Sequence, residues 1–133
     1  MLKNVIFDFG NVLMEFDPYY MTSKYFDNRE DILTVSNVVF DRLYWDRLDE
    51  GTISEEEVKL DIKKRLPESC HKNAILAYEN WYYNLPEIKG MRDLILQLKK
   101  DGYKIYLLSN ISKQFAENYK NVDAIKSLFE NFD

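Results

Sequence analysis

Two short runs of apolar, β-favouring residues, each ending in polar ones, predict an α/β fold built on a parallel sheet. The first, NVIF at residues 4–7, ends in Asp8; the second, YKIYLL, ends in Ser109-Asn110. Between them stand a long block of helix-length segments and then one sharply bounded helix, the order of a strand–helix–strand crossover that carries a large insert. The predicted organisation is a core from residues 1–17 and 86–133, interrupted by an α-helical unit at residues 18–85.

Each element has a local reason. NVIF is continuously apolar rather than alternating, which suits a parallel strand covered on both faces. From Pro18 to Leu85 strand alternation is nearly absent. DILTVSNVVFDRLYWDRLDEG, SEEEVKLDIKKRLPE and NAILAYENWYYNL are each long enough for a helix, separated by Gly51, Pro67 and Pro86. Ser54 with Glu57 three residues on makes a capping box that sets one helix start, and Pro67 closes that helix. The run Glu55-Glu56-Glu57 falls in the first helical turn, where negative charge opposes the dipole, and needs no ligand to explain it. After Pro86, Met91, Leu94, Ile95 and Leu98 lie at helical spacing, Lys99 and Lys100 sit at the negative end of the dipole, and Gly102 is the stop. A right-handed crossover brings both strand ends, Asp8 and Ser109-Asn110, to the same sheet edge, where open α/β sheets bind ligands.

Composition narrows the function classes. The chain has 133 residues, 46% hydrophobic and 31% charged, with a net charge of -5, so it offers no basic field for nucleic acid or an anionic membrane surface. The lone cysteine, Cys70, cannot form an internal disulfide, and the N-terminus has no basic, apolar and small-residue sequence of a secretory signal; a cytoplasmic protein is expected. No apolar run approaches the roughly 18 residues of a membrane span.

NVIFDFGNVL and YKIYLLSN, in this order around a helical block, resemble the first and second motifs of the haloacid dehalogenase (HAD) superfamily, whose first-type cap is inserted between them. DFGNV, with LDEGTISEEEV in the insert, is most similar to the branch containing phosphatases of the α-D-glucose-1-phosphate phosphatase type. The resemblance implies a Rossmann-like parallel core with an α-helical cap, and a magnesium-dependent phosphatase acting on a small phosphorylated metabolite. Asp8 would be the nucleophile, forming an aspartyl-phosphate that water hydrolyses. Its carboxylate and the Gly10 carbonyl would hold Mg, with glycine letting the backbone turn sharply there, while the Ser109 hydroxyl and Asn110 amide would bind the phosphoryl oxygens.

Two departures from the superfamily's pattern stand out. Gly10 occupies the position of its usual second aspartate, the general acid and base, which leaves Glu15 and Asp17 as replacements. The chain also stops at SLFENFD, before the downstream lysine and acidic motifs, so it reads as the N-terminal part of a larger hydrolase whose incomplete core holds magnesium weakly. In the superfamily's sheet a further strand lies beside the first; here that flank would be bare, which predicts self-association through the uncovered edge.

Plainer readings accompany these roles. Asp8 also suits a turn, and Ser109-Asn110 also suits the cap of a helix starting near Ser112. Cys70 and His71 are too few for a metal site, so His71 reads as a solvent-facing helix start. Tyr44, Trp45, Trp81, Tyr82 and Tyr83 read as packing within the insert. Carbon–halogen hydrolysis by the same aspartate is the related alternative, and a non-catalytic binding module is the alternative from another class.

Overall fold

The computed structural model describes residues 3–133, so residues 1 and 2 of the expected core lie outside the described residues. The chain divides into two compact units. One comprises the described residues through Phe16 together with Leu85–Ile111 and Phe115–Asp133; the other comprises Asp17–Asn84 and Ser112–Gln114.

The first unit is α/β. Strand β1, Asn4–Phe7, pairs in parallel with β2, Lys104–Leu107, in the register Asn4 to Lys104 through Phe7 to Leu107. Helix α6, Met91–Lys100, precedes β2. Its end is set by Gly102 at φ 86°: the Tyr103 N–H donates to the Leu98 carbonyl (3.0 Å) and the Gly102 N–H to that of Lys99 (3.0 Å), the paired bonds of a Schellman stop. Beyond β2 come α7 (Lys113–Asn118), of which this unit holds the part from Phe115 on, a 3₁₀ turn (Tyr119–Asn121) and α8 (Asp123–Phe129). Ile95 of α6, Ile105 of β2 and Ile125 and Leu128 of α8 are buried together with a train of rings, in which Phe9 lies 5.0 Å from Phe115 and 5.4 Å from Phe129.

The expectation of a first strand covered on both faces is corrected. Phe7 is buried, but Ile6, whose side chain stands on the opposite face of the strand, is 62% exposed. The α6 stripe is likewise narrower than its spacing implied: Ile95 is buried, whereas Leu94 is exposed.

The second unit is helical: α1 (Pro18–Thr22), α2 (Arg29–Val39), α3 (Arg42–Asp49), α4 (Glu55–Arg65), α5 (Glu68–Glu79) and a 3₁₀ turn (Trp81–Asn84). The first long helical segment of the sequence is two helices. It breaks at Phe40-Asp41 because the Asp41 carboxylate accepts from the Leu43 N–H (3.0 Å) and starts a new helix there. The last segment is shorter than expected, the α-helix ending at Glu79 before the 3₁₀ turn. The capping box at Ser54 forms as predicted, with Ser54 and Glu57 bonded in both directions. His71 is half-buried rather than solvent-facing, its Nε2 lying 2.9 Å from the Leu66 carbonyl. Tyr44, Trp81 and Tyr82 are buried, and Tyr83 is exposed. Among the described residues, no helix is long and apolar enough to cross a membrane.

Candidate active site

Parallel pairing decides which polar residues meet. The Leu108 N–H donates to the Phe7 carbonyl (2.9 Å), so the ladder continues one step past both strands and leaves Asp8 and Ser109-Asn110 at the same end of the sheet. All four predicted site residues, Asp8, Gly10, Ser109 and Asn110, therefore belong to the first unit and to one edge of it.

Asp8 is exposed, and its Oδ1 accepts from the Phe9 N–H at 2.7 Å. Among the described residues its second oxygen carries no hydrogen bond. The plainer role as a turn residue is thus present, but it uses only one of two oxygens. Ser109 is half-buried, and its hydroxyl makes only a long 3.5 Å contact with the Asn110 carbonyl, leaving the O–H available as a donor. Helix α7 begins at Lys113 and is six residues long, with buried Ser112 just before it, so Ser109-Asn110 stand outside the helix start proposed for them.

The loop after Asp8 is held by its own backbone. The Asn11 N–H donates to the Met14 carbonyl (2.7 Å), the Leu13 N–H to that of Phe9 (2.9 Å), and the Asn11 side chain accepts from the Phe16 N–H (2.9 Å). Two further bonds, from Ile88 N–H to the Leu13 carbonyl (2.9 Å) and from Glu15 N–H to that of Pro86 (2.7 Å), pin it to the segment entering α6. The left-handed residue of the turn is Asn11, at φ 57°, and not Gly10. A Cβ added to Gly10 would meet nothing within 4 Å. The sharp turn expected of glycine is carried instead by asparagine, one of the few side chains that tolerates this conformation.

The two replacements considered for the general acid differ. The Asp17 carboxylate accepts from the Tyr20 N–H (3.0 Å) as the cap of α1, a structural use. Glu15 is exposed and lies on the loop that follows Asp8. Among the described residues no three His, Cys, Asp or Glu side chains gather as a metal cluster.

A polar constellation of the helical unit escaped the sequence. Arg65 of α4 donates to Tyr44 Oη (2.7 Å) and to the Asp41 carboxylate (3.0 Å), while Tyr44 also hydrogen-bonds Asp61. Burial, then the bond to Asp61, raises the Tyr44 pKa. Tyr44 and Asp61 also line a cavity of about 400 Å³ with Arg47, Ile53, Glu57, Leu60 and Lys64. Only the 21-residue separation of Tyr44 from Arg65 hid this cluster, since no local spacing rule spans it.

No family model and no curated protein matches the sequence. Solved structures do match. L-2-haloacid dehalogenase from Xanthobacter autotrophicus superposes over 100% of this chain and 55% of its own, with a TM-score of 0.61 at 17% identity. The HAD-hydrolase YfnB from Bacillus subtilis, bound to magnesium, matches over 99% and 63%, at 0.63 and 16%. The chain has the HAD fold. The HAD family enzyme bt-2542 from Bacteroides thetaiotaomicron, in complex with magnesium and inorganic phosphate, adds a match over 91% and 59%, at 0.52 and 21%. The chain spans little more than half the length of these HAD proteins. The fold class read from the sequence, a partial α/β HAD core with a helical cap, agrees with them.

Proposed function

We propose that this chain carries the nucleophile half of a HAD-type hydrolase site, with a small phosphorylated metabolite as substrate. The observation that supports it most is the juxtaposition of Asp8 with Ser109-Asn110 at the end of two paired parallel strands. In this reading a carboxylate oxygen of Asp8 attacks phosphorus as the bond from phosphorus to the substrate's alcohol oxygen breaks. The alcohol leaves with a proton from solvent or Glu15, and water then cleaves the aspartyl-phosphate to restore Asp8 and release phosphate. The Ser109 hydroxyl and Asn110 amide donate to the phosphoryl oxygens as charge gathers on them.

The donor set suits magnesium in kind: Asp8 and the Gly10 carbonyl supply hard oxygens, the type that magnesium takes while leaning on substrate phosphate and water for the rest. Bound there, the ion would neutralise the repulsion between carboxylate and phosphate dianion. One carboxylate and one carbonyl hold it weakly.

A second reading, carbon–halogen hydrolysis, is favoured by the likeness to L-2-haloacid dehalogenase, a structure of which has chloropropionic acid covalently bound. Asp8 would then attack carbon and displace halide. Assays of the hydrolase with sugar phosphates and with 2-haloacids separate the two, with magnesium required only for the first. Asp8→Asn should cut turnover at least about a thousandfold and abolish trapping by beryllium fluoride. Full turnover in that variant would remove both readings.

A further inference from the structure

The cavity that Tyr44 and Asp61 line has walls from α3 and α4, and all of its lining belongs to the helical unit. Both of its ends are braced. At one, Tyr44 of α3 hydrogen-bonds Asp61 of α4, and Arg65 donates to Tyr44 Oη (2.7 Å) and to the Asp41 carboxylate at the head of α3 (3.0 Å). At the other, the Thr52 N–H donates to the Arg47 carbonyl (2.8 Å), and the capping box fixes the first turn of α4. The space of about 400 Å³ between the walls is therefore pre-formed, and it falls in the size range of small-molecule sites. Its formal charge cancels, two cations against two carboxylates, so what it selects depends on which groups are still open. Both carboxylates are already met by donors of the chain: Glu57 Oε2 accepts from the Ser54 N–H (2.9 Å) and hydroxyl (2.8 Å), and Asp61 Oδ2 accepts from the Tyr44 hydroxyl. The cations are not so engaged. Arg47, exposed on α3, gives one N–H to a long contact with the Thr52 carbonyl (3.4 Å), and Lys64, exposed on α4, makes no hydrogen bond or ion pair among the described residues. Half-buried Ile53 and the 56% exposed Leu60 add apolar surface beside them.

We propose that this cavity binds a small organic anion, its carboxylate or phosphate oxygens held by Arg47 and Lys64 and its apolar body laid on Ile53 and Leu60. A guanidinium presents paired donors that match either oxyanion, and the ammonium on the facing helix brings a second positive charge to the same group. A cationic ligand would meet two like charges and two carboxylates whose donors are already supplied. A wholly apolar ligand would take water from both cations and return no acceptor. None of these residues is among Asp8, Gly10, Ser109 and Asn110, and the inference does not depend on Asp8 being a nucleophile.

The test titrates the full chain, labelled for amide NMR, with hexanoate, hexyl phosphate, inorganic phosphate and hexylammonium. Hexanoate or hexyl phosphate should shift the amides of Arg47, Ile53, Leu60 and Lys64 to saturation, and the tighter of the two identifies the oxyanion. Inorganic phosphate, which has no apolar body, should bind these residues at least about tenfold more weakly, and hexylammonium should leave them unmoved. Arg47→Gln and Lys64→Gln, both at exposed positions and checked by an unchanged circular dichroism spectrum, should each raise the Kd about tenfold, whereas Lys64→Arg, which keeps the charge, should not. The proposal is overturned if neither organic anion saturates these shifts, if inorganic phosphate or hexylammonium binds the same residues as tightly, or if both glutamine variants bind undiminished.

Discussion

The helical and α/β units of this chain are held by different kinds of force. In the helical unit the starts are written locally: Asp17, Asn28, Asp41 and Ser54 each accept a main-chain N–H at the head of α1, α2, α3 and α4. Ion pairs then tie one turn to the next, as where Lys59 meets Glu56 (3.3 Å), and one helix to another, as where it meets Glu79 of α5 (2.7 Å). In the α/β unit α6 and α8 have no side-chain cap, with Gly90 and Val122 at their N-terminal boundaries. Partners distant in sequence do that work. Phe9 packs on Phe115 and Phe129, Phe7 on Phe132, and the Arg92 guanidinium, paired with Glu87 (2.8 Å), also donates to the Ala124 carbonyl (3.2 Å). Helices with their own caps can form before they pack, whereas the α/β unit is held by its ring train and needs that train closed.

This contrast is broken most directly at Phe9. Phe9→Ala removes the ring that joins the end of β1 to α7 and α8 and should lower stability by about 3–5 kcal/mol in urea unfolding. A loss below about 1 kcal/mol would mean that the rings are not what holds the α/β unit.

A smaller effect is expected from Ser54→Ala, about 1 kcal/mol, because one cap is local and its neighbours keep theirs. Its pH signature sharpens the point. The Ser54 backbone N–H, and then its hydroxyl, bond the Glu57 carboxylate and hold its pKa below the ordinary value of 4.5. A carboxyl more acidic folded than unfolded adds stability when ionised, so this contribution is present above about pH 4.5 and is lost as pH falls through the lower folded-state value. Ser54→Ala should therefore flatten part of the acid side of the stability profile, read by thermal melts from pH 3 to 6. An unchanged profile would mean that the Ser54 hydroxyl has no part in holding the Glu57 carboxylate ionised, the main-chain N–H being kept in the variant.

The smallest effect belongs to Gly10→Ala, within about 0.5 kcal/mol, since the position is not left-handed and a Cβ meets open space. Asn11→Ala, by contrast, should cost about 1–2 kcal/mol, losing both the tolerance of φ 57° and the bond to the Phe16 N–H. If the order of these two were reversed, the turn would be strained at the glycine after all.

Much of this was legible from residues near one another. The capping box at Ser54 and the Gly102 stop depend on contacts within about five positions, which sequence spacing reports directly, and the span of β1 was readable as a short apolar run. The break at Asp41 had such a signal too, an aspartate immediately before the helix it caps, but the apolar spacing running through Phe40 masked it. The candidate site was legible in composition and, through the crossover rule, in which sheet edge its parts share, but not in its detailed register. Asp8 and Ser109-Asn110 stood out as polar ends of apolar runs, yet their adjacency rests on a ladder between residues 100 positions apart.

The sequence by itself determined where strands and most helices begin and end, since caps, stops and apolar periodicity act over one or two turns of chain. Only the tertiary structure decided which faces those elements bury. Ile6 and Ile105 are equally apolar and both lie in strands, but Ile6 is open and Ile105 fully buried, because exposure is a property of what packs above a residue and not of the residue. The same holds for Arg65, whose partners Asp41 and Tyr44 come from elsewhere in the chain, and for the loop after Asp8, where the choice of Asn11 over Gly10 for the left-handed turn follows from hydrogen bonds to Met14 and Phe16 that form only once the loop has closed.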